Sequence, residues 1–200
     1  MSAYMRMGWV RHGVTSWNRA GKIQGTTDIP LSSEGKMQAH RLAYRLSNES
    51  RVWHGVVSSD LERAEKTGRI LAERLNIPLL TDERLRERGF GEAEGTTEEE
   101  RLARWGTSWR SKVPGLESDE HVRVRGLVFV EEFAERHAGE NWLVVTHGSF
   151  IAQMLQALET GVDDHHIGNL SLTILDREAD SWVPILHNCT EHLKQTGEFG

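Results

Sequence analysis

Arg11, His12 and Gly13 follow directly on a short apolar run, Met7 to Val10. A histidine at the end of a buried strand has a fixed backbone and can present one ring nitrogen to a ligand. With a hydrogen bond on the other nitrogen, the ring holds one tautomer and is a competent nucleophile near neutral pH. Arg11 adds a permanent planar charge that suits phosphate oxygens. Gly13 is expected to let a substrate approach the backbone closely. Two more polar signatures share this character: Ser58-Ser59-Asp60 leading to Arg63, and Thr146-His147-Gly148. Each has an ordinary structural alternative. The tripeptide at 11–13 occurs by chance, and His147 suits a core histidine satisfied by backbone. Arg63 suits a surface pair with Asp60, Glu62 or Glu65, worth about 0–1 kcal/mol.

These signatures need elements to hold them. Met7 to Val10 reads as a strand, and residues 14–31, rich in Gly, Thr, Asn and Pro, read as a loop. Ala39, Leu42, Ala43 and Leu46 recur at helical spacing, so 33–48 is an amphipathic helix capped by Ser32 or Ser33. Residues 55–58 form a second strand. Ser59 to Glu62 has the S-x-x-E pattern of a capping box, which opens a helix with Leu61, Ala64, Leu71 and Leu75 on one face. Residues 78–81 make a third strand, and 97–110 and 119–137 two helices separated by Pro114-Gly115. Trp142 to His147 has the near-continuous apolar character of a buried parallel strand, followed by a helix over 149–158. Residues 170–175 and 182–186 are late strands, a hairpin about Ala179-Asp180. Alternating strands and helices imply a layered α/β domain. Ligands in such sheets bind at the carboxyl ends of the strands, and all three signatures stand at strand ends.

The bulk properties bound the function. The chain has 200 residues, 38% hydrophobic and 27% charged, which fits one globular domain over 1–200. Cys189 is the only cysteine, so no internal disulfide forms. No stretch approaches the roughly 20 apolar residues of a membrane helix. The expected setting is cytoplasmic. A formal net charge of −6 argues against nucleic-acid binding. It leaves room for a small phosphorylated metabolite, because a few converging arginines set the local potential. The expected partners are therefore neither nucleic acid nor membrane; self-association as a homodimer stays open. Asp163-Asp164-His165-His166 carries ligand-type side chains, but adjacent residues point apart and no second cluster has zinc-like spacing, so it reads as a solvated loop. No phosphate-cradling glycine loop or serine nucleophile elbow is present. No metal and no cofactor is expected.

The stretch from Val10 to Gly35 resembles the signature of the histidine phosphatase superfamily, also called the phosphoglycerate mutase-like family. That signature runs R-H-G, T-x-x-N, Q-G, then D-x-P-L-T/S-x-x-G. Here it reads Arg11-His12-Gly13, Thr15 with Asn18, Gln24-Gly25, and Asp28, Pro30, Leu31, Ser32 and Gly35. Ser58 to Ala64 resembles the family's S-S-x-L-x-R-A motif. Leu85-Arg86-Glu87 with Phe90-Gly91 and Glu94-Gly95 resembles its acid motif, and Val145 to Gly148 its second histidine motif. The resemblance implies a three-layer α/β/α sandwich with a mostly parallel central sheet. It implies that His12 attacks phosphorus and becomes phosphohistidine, with Arg11, Arg63 and His147 binding phosphoryl oxygens. Glu83, Glu92 and Glu94 rival Glu87 as proton donor, but only Glu87 matches the family's acid position. By the same resemblance Asn18 and the backbone near Gly25 bind phosphate, in a loop with Gln24 and Thr26; Ser149 is a further donor.

The family holds phosphatases and mutases with one core. Pro114 to Ser118 resembles the P-x-G-E-S segment of the short phosphatases, although Leu116 stands where a glycine is expected. The interval between Glu87 and His147 lacks the mutases' longer insertion. Glu87-Arg88-Gly89-Phe90-Gly91 leans towards the mutases' E-R-H-Y-G. Phosphatase is the preferred reading, phosphoglycerate mutase the alternative, and a non-catalytic phosphate-binding module the third. Among the seven tryptophans, Trp105, Trp109 and Trp142 are expected in the core, and Trp17, Trp105 or Trp109 can also line the pocket.

Overall fold

The computed structural model describes residues 4–162, 166–179 and 181–194. Its centre is a six-stranded sheet of β1 (Met5–Arg11), β2 (Gly55–Ser58), β3 (Leu79–Thr81), β4 (Asn141–Thr146), β5 (Leu172–Glu178) and β6 (Ser181–Cys189). The strand order is β3-β2-β4-β1-β5-β6. β1, β4, β2 and β3 run parallel, and β5 and β6 close one edge as an antiparallel pair. The helices are α1 (Ser16–Arg19), α2 (Ser33–Ser47), α3 (Glu62–Leu75), α4 (Glu98–Trp105), α5 (Asp119–Arg136), α6 (Gly148–Ala157) and α7 (Glu191–Lys194).

Strand side chains alternate between two faces, and here both faces are apolar. Met5, Met7 and Trp9 of β1 pack with Val57 and Val144 against Val122, Phe129 and Phe133 of α5 and Phe150, Ile151 and Met154 of α6. Val10, Val56, Leu143 and Val145 pack on the other face against Ala39, Leu42 and Leu46 of α2 and Ala64, Ile70 and Leu71 of α3. Two cores on one sheet make the expected three-layer α/β/α sandwich. A smaller third core, Phe90, Ala93, Trp109 and Val113 with Ile23, Trp105 and Leu116, lies in the excursion between β3 and α5. Trp109 and Trp142 are buried as expected, and Trp105 is half-buried.

Three local expectations fail for identifiable reasons. Residues 14–31 are not all loop: Thr15 and Asn18 form a reciprocal capping box that nucleates α1. The helix expected over 97–110 stops at Trp105, where Gly106 turns to φ +75°; a 3-10 turn, Trp109–Ser111, follows. Ser59 does not cap α3. Leu61 takes the cap position without a side-chain bond, and Oδ1 of Asp28 accepts from the Glu62 N–H at 2.8 Å instead. Of the segment Asp163 to His166, only His166 lies within the described residues, as does Ala179 but not Asp180 of the expected turn.

Phe129 has no exposed surface and stacks on Phe133 at 5.1 Å, whereas its neighbour Val128 is 44% exposed. Phe129→Ala should therefore cost about 3–5 kcal/mol in urea unfolding, and Val128→Ala less than about 0.5 kcal/mol. Equal small effects would overturn the placement of α5.

Candidate active site

β1, β4 and β2 are adjacent and parallel, so Arg11 with His12, Thr146 with His147, and Ser58 with Ser59 emerge at one edge of the sheet. The His12 N–H donates to the Thr146 carbonyl at 2.9 Å, and the Ser59 N–H donates to the Val145 carbonyl at 2.9 Å. The two imidazole rings meet at 5.1 Å between centroids.

His12 is 2% exposed. Its Nδ1 lies 2.7 Å from the Gly13 carbonyl, which can only accept, so Nδ1 carries the proton and Nε2 the free lone pair. The Asn169 side-chain amide donates to the His12 carbonyl at 2.9 Å and fixes the peptide from the other side. Burial, and then the charges of Arg63 and Arg11, push the His12 pKa well below the ordinary histidine value. The ring is therefore neutral, the state a nucleophile needs.

His147 is fully buried and neutral for the same reasons, burial first and Arg63 next. Ser59 Oγ accepts from the Leu61 N–H at 3.3 Å and lies 2.9 Å from His147 Nε2. The ring's Nδ1 is buried without a partner among the described residues. The second serine of the S-S-x-L motif thus orients the His147 ring rather than capping a helix.

The arginines are equally committed. Arg63 is fully buried and pairs with none of Asp60, Glu62 or Glu65. It donates to the carbonyls of Gly25 at 2.6 Å and Thr27 at 2.9 Å, and its Nε has no partner. Arg11 donates to the Ile167 carbonyl at 2.6 Å, and its Nε is likewise buried and unpartnered. Burial lowers both guanidinium pKa values, opposed chiefly by Glu87, yet such groups stay charged.

Glu87 lies at the start of α6. Its Oε1 accepts from the N–H groups of Arg88 and Phe150, both at 2.9 Å, and its Oε2 from that of Ser149 at 3.1 Å. Ser149 thus reaches the site through its backbone. Arg125, which the sequence did not single out, donates to the carbonyls of Arg84, Arg86 and Glu87 at 2.6, 2.9 and 3.3 Å. Glu117 pairs with Arg125 at 2.8 Å and accepts from the Gly89 N–H at 3.0 Å. Together they clamp the loop that carries Glu87.

Glu94 organises the loop beneath Arg63. Its carboxylate accepts from the N–H groups of Thr26, Thr27 and Phe90 at 3.0 Å each, and from both threonine hydroxyls. Gly25 sits at φ +57°, and a Cβ there would fall 2.0 Å from Glu94 Oε1. Gln24 accepts from the Thr15 hydroxyl at 2.9 Å. Asn18 Oδ1 is taken by the Thr15 N–H and by Asn169. A Cβ at Gly13 would meet the Gly35 carbonyl at 2.6 Å, so the two motif glycines let β1's loop and α2 touch. Trp17 packs over Gly95, and Trp109 carries Arg110 on its ring. Among the described residues, no group of three or more His, Cys, Asp or Glu side chains is placed to hold a metal, and no helix is long and apolar enough to cross a membrane.

Buried neutral histidines make stability pH-dependent. Unfolded histidine titrates near 6.5, and His12 and His147 titrate well below that in the fold. His192 is held down at about 4, mainly by burial. Below pH 6.5 the unfolded chain binds more protons, so stability present above that pH is lost on acidification, at up to about 1.4 kcal/mol per pH unit per histidine. Urea unfolding between pH 7.5 and 5 should show this loss, and a His12→Gln/His147→Gln variant should lose less. An unchanged slope would contradict the neutral assignment.

The sequence profile of the histidine phosphatase superfamily (branch 1) matches residues 9–190. A phosphoglycerate mutase-like protein 4 of Arabidopsis thaliana is 34% identical, over 94% of this chain and 86% of that one. An uncharacterised phosphatase of Bacillus subtilis, PhoE, is 30% identical, over 92% of this chain and 94% of its own. The solved structure of YhfR from Bacillus stearothermophilus superposes with a TM-score of 0.86 at 28% identity, covering 95% of this chain and 100% of that one.

Proposed function

The chain belongs to the histidine phosphatase superfamily (branch 1), and from that premise we propose that it hydrolyses small phosphate monoesters through a phosphohistidine on His12. One observation carries the reading. Among the described residues, two buried guanidinium N–H groups, Arg11 Nε and Arg63 Nε, and a buried ring nitrogen, His147 Nδ1, have no partner and accompany a histidine whose Nε2 lone pair is free. Unpartnered buried polar groups are costly, and a phosphoryl group held between these residues would supply their partners.

In this reaction Nε2 of His12 attacks phosphorus in line with the ester oxygen. The P–O bond to the leaving group breaks as the P–N bond forms. The arginines and His147 hold the equatorial oxygens, where charge spreads in the transition state. Glu87 gives its proton to the leaving oxygen. It then takes a proton from a water that attacks phosphohistidine, releasing phosphate and restoring His12. The loop ordered by Glu94 keeps the carbonyls of Gly25 and Thr27 on Arg63, which aims its Nε.

A mutase would pass the phosphoryl group to a second hydroxyl instead, and the mutase-like relative keeps that reading alive. Against it, Arg88 of the mutase-like segment is 5% exposed and tied to Asp119, so its charge is spent inside the fold.

Purified protein should turn over p-nitrophenyl phosphate without added metal. His12→Ala should lose at least about 10³-fold in kcat, and Arg63→Gln about 10²–10³-fold. Quenched enzyme should carry acid-labile phosphate. Surviving turnover in His12→Ala would remove the nucleophile assignment. Isomerisation of 3-phosphoglycerate primed by 2,3-bisphosphoglycerate, without phosphate release, would establish the mutase.

A further inference from the structure

Among the described residues two cavities lined by Glu87 differ in charge. The larger, about 630 Å³, is lined by Arg84, Arg86 and Arg125 among others. Each of these has a carboxylate partner: Arg84 has Asp82 and Glu132, Arg86 has Asp60, and Arg125 has Glu117. The smaller, about 320 Å³, is lined by Arg11, Glu87, Arg110, Ser149, Ala152 and His166. It touches both the arginine beside the nucleophile and the carboxylate of the leaving-group side.

Arg110 differs from the arginines of the larger cavity. It is exposed, and among the described residues no carboxylate pairs with it. Its guanidinium lies 4.3 Å from the centroid of the Trp109 ring. Trp109 is itself 5% exposed and packs on Phe90 in the third core, so the platform is fixed. A guanidinium resting on an indole keeps its outward N–H fork free and gives up less rotamer freedom on binding an anion. With Glu87 carrying the proton for the leaving group and both histidines neutral, Arg11 and Arg63 already match the two charges of a phosphoryl dianion. Arg110 is left over from that balance and is available to a further negative group.

We propose that Arg110 is a specificity-determining residue for an anion on the leaving group. The substrate class is then a phosphomonoester whose alcohol portion carries a carboxylate or a second phosphate, lying in the smaller cavity between Glu87 and Arg110. The proposal rests on the phosphatase reading above. The cavity volume suits a small alcohol portion rather than a polymer end.

The test uses esters matched except for charge: 3-phosphoglycerate against glycerol 3-phosphate for the carboxylate, and 1,3-propanediol bisphosphate against its monophosphate for the second phosphate. Phosphate release is measured with the full chain. In at least one pair, the wild type should favour the anionic member about tenfold in kcat/KM, chiefly through KM. The preference should shrink with added salt. Arg110→Gln should bring that ratio near one, and Arg110→Lys should retain part of it. Whichever pair shows the preference names the anion. No preference in either pair, an unchanged ratio in Arg110→Gln, or an equal fall for both members of a pair would overturn the subsite while leaving the phosphatase standing. Failure of the wild type to release phosphate from any of these esters or from p-nitrophenyl phosphate would instead overturn the reading on which it rests.

Discussion

β4 is hydrogen-bonded on both edges, to β1 on one side and β2 on the other, all in the same direction. The rest of the site depends on that pairing. Residues far apart in the chain, at 11–12, 58–59 and 146–147, are carried to one sheet edge by the register alone. The ladder continues past the strands, through His12 onto Thr146 and Ser59 onto Val145. The backbones of His12 and Ser59 are therefore extensions of the sheet rather than parts of a loose loop. Rigid placement of this kind is what positioning catalysis requires.

Electrostatics sets a second demand. A chain of net charge −6 concentrates one buried and one half-buried guanidinium group, Arg63 and Arg11, beside two buried imidazoles. Burial first, and that nearby positive charge next, keep both rings neutral. The carbonyl of Gly13 takes the His12 proton on Nδ1 and leaves Nε2 bare, whereas Ser59 holds His147 by Nε2 and leaves its Nδ1 without a partner. Acidic residues do their work one layer out. Glu94 shapes the loop on Arg63, Asp28 caps the helix that presents it, and Glu117 with Arg125 holds the acid loop.

Most strands and amphipathic helices were legible because buried strands and helices write their periods into the sequence, whereas the sheet order is set by pairings between distant segments. The five candidate residues, Arg11, His12, Arg63, Glu87 and His147, were singled out through motif company, since each signature alone is ambiguous. What escaped reading depends on distance. Asn169 binds the His12 peptide across 157 positions, and Arg125 reaches the acid loop across 38 to 41. Neither leaves a local pattern. Ser59 shows the opposite failure: its capping-box pattern was real, but the nearby His147 ring competed for the hydroxyl. Thr15 and Asn18 carried a genuine capping signature that turn-rich composition obscured.

The third core has an evolutionary reading. Phe90, Ala93, Trp109 and Val113 bury one another within a single excursion of the chain, apart from the two cores on the sheet. Glu87, Glu94 and Glu117 tie part of that excursion to the site, whereas the Trp109 ring stands clear of those three. A lineage is then free to exchange the residue displayed on that ring without disturbing the sheet edge that carries His12 and His147, so the two can diverge at different rates.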